Sequence, residues 1–187
     1  MKHSILLAVS IGALALSGCK KSEAPAGDVV ATTAPSDDAM APALAATASP
    51  DQAFVDAAAA SDAFEIQSSQ LAATKGQSQE VKRFAAMMIK AHTDSTAKLK
   101  TAAAAASPAL TPQPTLTPMQ QQTLDELSTK SGDEFETAYA KAQVDGHQMT
   151  LDKLKAYSAN GGQASLKTFA TGLIPTVTAH LNMAKAL

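Results

Sequence analysis

Apolar residues recur at helical spacing in four long stretches, and each stretch is closed by residues through which a helix does not run. The first passes through Phe54, Ala58, Ser61, Glu65, Ser68 and Ala72, flanked by Phe64 and Leu71, and stops at Gly76. The second carries Val81, Phe84, Met88, His92, Ser95 and Leu99 and ends at Ser107-Pro108. The third carries Phe135, Tyr139, Gln143, His147, Thr150 and Leu154 and ends at Asn160-Gly161-Gly162. The fourth carries Leu166, Phe169, Leu173, Val177, His180 and Ala184. Steps of three and four keep side chains on one face of an α-helix. Gly and Pro at the borders mark the stops. Four amphipathic rods with short turns after the first and third make an antiparallel four-helix bundle the simplest way to bury all four stripes. The fold class predicted is therefore all-α. Pro175 lies inside the last rod and predicts a kink near Thr171 or Gly172.

The connection between the second and third long helices contains Pro108, Pro112, Pro114 and Pro118 and cannot be helical throughout. An extra short helix is expected from Pro118 to Thr129, with Met119, Leu124 and Leu127 as its apolar edge. Asp133 followed by Glu136 has the spacing of a capping box at the start of the third long helix. Many stripe positions are Ala or Ser, so each helix buries little apolar area and moderate stability is expected.

Upstream of residue 51 the chain has a different character. Residues 1–18 read as a signal peptide: Lys2 and His3 precede an uncharged apolar run from Ile5 to Leu16. That run is about a dozen residues, against the roughly 20 a spanning helix needs. Leu16-Ser17-Gly18-Cys19 resembles the lipobox of bacterial lipoproteins, which implies cleavage before Cys19 and lipidation of that cysteine. The chain has only 1 cysteine, so no internal disulfide competes for it. By resemblance to lipoprotein sorting, Lys20 favours the outer over the inner membrane. Residues 19–50 combine this anchor with an Ala, Pro, Ser and Thr linker too poor in apolar surface to offset its ordering entropy. About 30 flexible residues span roughly 30 Å. Residues 51–187 are then one bundle domain, held in the cell envelope and facing the periplasm. Its membrane partner is reached through Cys19. The net charge of −2, with both signs mixed along the helices, offers no basic patch and excludes nucleic acid as an expected partner. No protein partner is specified.

The unusual feature is polar. His92, His147 and His180 each fall inside an apolar stripe, on three different helices, and Glu65 holds the corresponding place on the first, with Asp62 one turn earlier. At about 1.5 Å per residue, Glu65 lies about 16 Å before the first turn and His92 about 21 Å after it. His147 lies roughly 20 Å before the last turn and His180 roughly 25 Å after it, so the four share a mid-bundle level. Two readings stand open. A buried network in which imidazoles satisfy Glu65 needs no ligand. A metal or small-ligand site on Glu65, His92, His147 and His180 would suit zinc, iron or copper. A di-iron carboxylate site is not expected, because it needs Glu three residues before His. Those positions hold Ile89, Val144 and Val177. No phosphate loop, nucleophile elbow or His-Glu-x-x-His helix is present, so no enzyme class is indicated.

Phe54-Val55-x-x-Ala58-Ala59 leading to Glu65, and Val81-x-x-Phe84-Ala85-x-x-Met88 with His92, form a recognisable set. Phe135, Tyr139, Gln143 and His147 at four-residue steps extend it, as do Leu166-x-x-Phe169-Ala170, Leu173-x-Pro175 and His180-Leu181. Together they resemble the bacterial domain-of-unknown-function family 4142. That resemblance implies a ferritin-like bundle, export to the periplasm and no assigned activity. Glu65, His92, Gln143, His147 and His180 match polar positions of its pattern. The expectation is a non-enzymatic envelope lipoprotein with a buried Glu/His network, with metal or ligand binding as the alternative.

Overall fold

A computed structural model describes residues 48–187. The signal peptide, Cys19 and nearly all of the linker expected from sequence lie outside the described residues. Five helices follow in order: α1 (Pro50–Lys75), α2 (Gln79–Ala104), α3 (Pro118–Thr129), α4 (Gly132–Asn160) and α5 (Ala164–Ala184). There is no strand among the described residues, and α1, α2, α4 and α5 are the four rods the stripes predict. Among the described residues no helix is long and apolar enough to cross a membrane.

Local chemistry places the borders. Ser49 caps α1 by accepting from the Gln52 amide at 3.1 Å, and Pro50 occupies the first turn, where its missing N–H costs nothing. At the other end the Gly76 amide closes on Ala72 O at 2.9 Å. A Cβ at Gly76 would stand 2.6 Å from that carbonyl, so close approach is what demands glycine there. Ser78 caps α2 through the Val81 amide. Thr117 and Gln120 form a reciprocal capping box on α3. The carbonyls at the C-terminal end of α3 are met from another helix: Lys75 Nζ donates to the carbonyls of Lys130, at 2.8 Å, and Ser128.

Three-residue connections force α1 to fold back along α2, and α4 along α5. The two hairpins then pack through α1 against α4 and α2 against α5. α3 lies outside this frame, across α1 and α4. One start differs from the sequence expectation. α4 begins at Gly132, and no side chain caps it. Glu136 instead reaches across to accept from the backbone amides of Gln77 at 2.6 Å and Ser78 at 2.7 Å, serving the start of α2. The second helix also ends at Ala104, short of Ser107-Pro108.

The interior is divided. One apolar block gathers Phe54, Val55, Leu99, Leu154, Leu166 and Phe169. A second gathers Phe64, Phe84, Met88, Leu127, Phe135 and Tyr139. Between them runs a layer of buried polar side chains: Asp62, Glu65, His92, Gln143, His147 and His180.

Candidate metal centre

The three histidines converge. Their ring centroids stand 5.6 Å (His92 to His147), 5.5 Å (His147 to His180) and 5.9 Å (His92 to His180) apart, a nearly equilateral triangle across three helices. One ring nitrogen from each lies within 4.8 Å of the other two. Ligands bound tetrahedrally at 2.0–2.1 Å stand about 3.4 Å apart, so the rings would need to draw together by at most about 1.4 Å.

What surrounds each ring bears on what it can do. His92 Nδ1 donates to Asp62 Oδ1 at 2.8 Å, and Asp62 Oδ2 accepts from the Thr96 hydroxyl at 3.2 Å. His147 Nδ1 donates to the Gln143 backbone carbonyl at 2.8 Å, one turn back on its own helix. His92 Nε2, His147 Nε2 and, on a ring with no hydrogen bond at all, His180 Nδ1 are buried and without a hydrogen-bond partner. Buried polar atoms are normally satisfied, so three of one kind left over on neighbouring rings stand out. The pattern of one nitrogen held by a carboxylate or carbonyl and the other left free is how ligating imidazoles are oriented.

Electrostatics keep two rings neutral, the form that binds metal. Burial, with the neighbouring His92 charge, pushes His147 down to about 3 and His180 down to about 4. Burial also pushes His92 down, but its hydrogen bond to Asp62 and the negative charge of Glu65 outweigh this and hold it above the usual value. Beside His92 and His180 lies a cavity of about 30 Å³ edged by Ser61, Ser95, Thr150 and Thr176, room for one water or one ion.

Glu65 is close but stands apart from this triangle. Its Oε1 lies 3.6 Å from His147 Nδ1, the nitrogen already turned to Gln143. Burial raises its carboxyl to about 7, opposed by the charge of His92. Gln143, the fifth residue singled out from sequence, donates to Ser68 Oγ at 3.1 Å and belongs to the network beside the triangle, as does the Ser69 to Tyr139 hydroxyl pair at 2.9 Å. The residue the sequence reading undervalued is Asp62. Its signal was present, a carboxylate three residues before Glu65 on the buried face of the same helix.

Residues 35–187 match the model of a family described as a domain of unknown function (DUF4142). No curated protein matches the chain. Among solved structures, "CopM in the Cu(II)-bound form" aligns with a TM-score of 0.62 at 18% identity, over 73% of this chain and 93% of that chain. "CopM in the Cu(I)-bound form" aligns with a TM-score of 0.61 at 19% identity, over 74% of this chain and 95% of that one. At such identities the likeness is one of fold.

Proposed function

The chain belongs to the DUF4142 family, a domain of unknown function, and we propose that this member holds a transition-metal ion, copper first, on His92, His147 and His180. The observation that carries the reading is the convergence of three buried imidazoles, each of which keeps one buried ring nitrogen without a partner, two of them on rings oriented through the opposite nitrogen. A network that existed only to satisfy its own members would leave fewer such atoms.

Imidazole suits zinc, copper, iron and nickel alike, and divalent copper binds a given nitrogen site most tightly of the first-row series. The shared bundle with a protein solved in Cu(II)- and Cu(I)-bound forms supports copper as the first ion to try. Glu65 stands next to the site without joining its three donors. Asp62 fixes the tautomer and direction of His92 and raises its basicity. The lipobox-like Leu16 to Cys19 segment supports a lipid anchor in the cell envelope, and Lys20 after it supports a setting on the outer membrane, facing the periplasm.

The test is direct. The stripped full chain is titrated with Cu(II), Cu(I) and Zn(II), with binding followed by calorimetry and the donors by X-ray absorption. One equivalent bound on three nitrogens is expected for copper. Absence of stoichiometric binding of any of the three ions, or binding that survives replacement of His92, His147 and His180 together, would overturn the reading.

A further inference from the structure

α3 is not needed to close a four-helix bundle, yet it is capped at both ends and laid across α1 and α4. With them it encloses a groove of about 660 Å³, within the roughly 300–1,000 Å³ of small-molecule sites. Its walls include Ala60 and Phe64 of α1, Leu127 of α3 and Ala142 of α4, and none of the three histidines lines it. Met119 and Met149 line it too, at 68% and 50% exposure. Large apolar side chains left this open are few here, and unbranched thioethers adapt to the shape of what they cover.

Six ionisable side chains line this space, Glu65, Glu126, Lys130, Lys141, Asp145 and Lys153, and of these only Glu65 is buried. Glu65 lines the groove, is 1% exposed, and keeps Oε2 buried with no hydrogen-bond partner. The lysines along the groove, Lys130, Lys141 and Lys153, make no ion pair with it; Lys141 is held by Asp145. On the opposite helix stands Gly146, where a Cβ would lie 2.8 Å from Glu65 Oε1. Any larger residue would push the carboxyl away, so the glycine keeps it at the groove.

We propose that this groove is a second binding site, for an apolar amine: a small molecule whose hydrocarbon or aromatic body lies between α1, α3 and α4 while its ammonium group reaches Glu65. A buried carboxyl oxygen with no donor is met best by a cationic N–H, in which hydrogen bond and charge act together. A hydrocarbon alone would fill the walls and leave that oxygen as it is. The site stands on its own residues and does not depend on the metal reading.

The experiment uses the full chain, stripped of metal, and two fluorescent probes sharing one aromatic body: dansylcadaverine, a primary amine on a five-carbon arm, and its N-acetyl derivative, which lacks the charge. Dansylcadaverine is expected to bind saturably and at least tenfold more tightly than the acetylated probe. Met149→Trp, which narrows the mouth, weakens both probes alike. Glu65→Gln brings the amine down to the acetylated probe and leaves the latter unchanged. Gly146→Ala, which displaces the same carboxyl from the facing helix, does likewise and covers the case in which Glu65→Gln does not fold. Equal affinity for the two probes, a preference for the amine that survives the carboxyl variants, or no saturable binding of either overturns the proposal. Metal titration of Met149→Trp runs alongside, so that loss of the groove and loss of the histidine site are told apart.

Discussion

Replacing His147 by leucine separates a site built for an ion from a network built for stability, because the two predict different melting behaviour without and with metal. The ring is 1% exposed and makes one hydrogen bond, from Nδ1 to a Gln143 carbonyl that also receives its own helical amide. Losing that bond, about 0.5–1.5 kcal/mol, strands no partner. The edge-to-face contact with Phe84 at 6.5 Å is lost as well, at about 0.5–1.5 kcal/mol. Against this, leucine removes a buried Nε2 without a partner, a penalty of about 1–3 kcal/mol. The metal-free variant should therefore melt close to the wild type, within about 2 kcal/mol either way. The metal-bound comparison is not close. Free copper at a hundred times its Kd stabilises the wild type by about 2.7 kcal/mol. At about 2.1 cal/mol/K of unfolding entropy per residue, the 140 residues described here convert that into a rise of about 9 °C in Tm. The variant, with two imidazoles left, should show less than about 2 °C of that rise. Scanning calorimetry on stripped and copper-loaded samples reads both numbers. A metal-free Tm that falls by more than about 7 °C, together with no copper shift in the wild type, would refute the reasoning and return the histidines to a purely structural role.

Asp62→Asn removes the carboxylate behind His92 and should weaken copper binding by about 10- to 100-fold, read by competition with a chelator of known affinity, while stoichiometry stays the same. Glu136 is held below the usual carboxylate range by the backbone amides of Ser78 and Gln77. A carboxyl depressed on folding adds stability above its unfolded value of 4.5, and that stability is lost as pH falls through the lower folded value. The Tm of Glu136→Gln should accordingly lie below wild type near pH 6 and approach it near pH 3. Gly76→Ala would set a methyl 2.6 Å from Ala72 O and 2.9 Å from Val81 Cγ1, and should cost about 1–3 kcal/mol in a urea melt without altering metal stoichiometry.

The helices and their level were legible in advance because they rest on local rules. Period 3.6 puts His92, His147 and His180 on inward faces whatever the partner helices do. Ser49-Pro50, Gly76, Pro118 and Asn160-Gly161 end or start helices through their own backbone and side-chain chemistry. That three imidazoles share one depth follows from counting 1.5 Å per residue from the turns. Which atoms meet does not follow from any such count. Asp62 and Glu65 are three apart and both face inward, so periodicity treats them alike. The rotation of α1 against α2 and α4 hands Asp62 to His92 and leaves Glu65 beside Gly146 at the groove. Glu136 likewise has the spacing to cap its own helix, yet it caps α2, whose start packing brings within 2.7 Å. Helix periodicity constrains direction to within a face, and hydrogen bonds and metal ligation are decided within a few tenths of an ångström. That last step belongs to side-chain packing between elements distant in the chain.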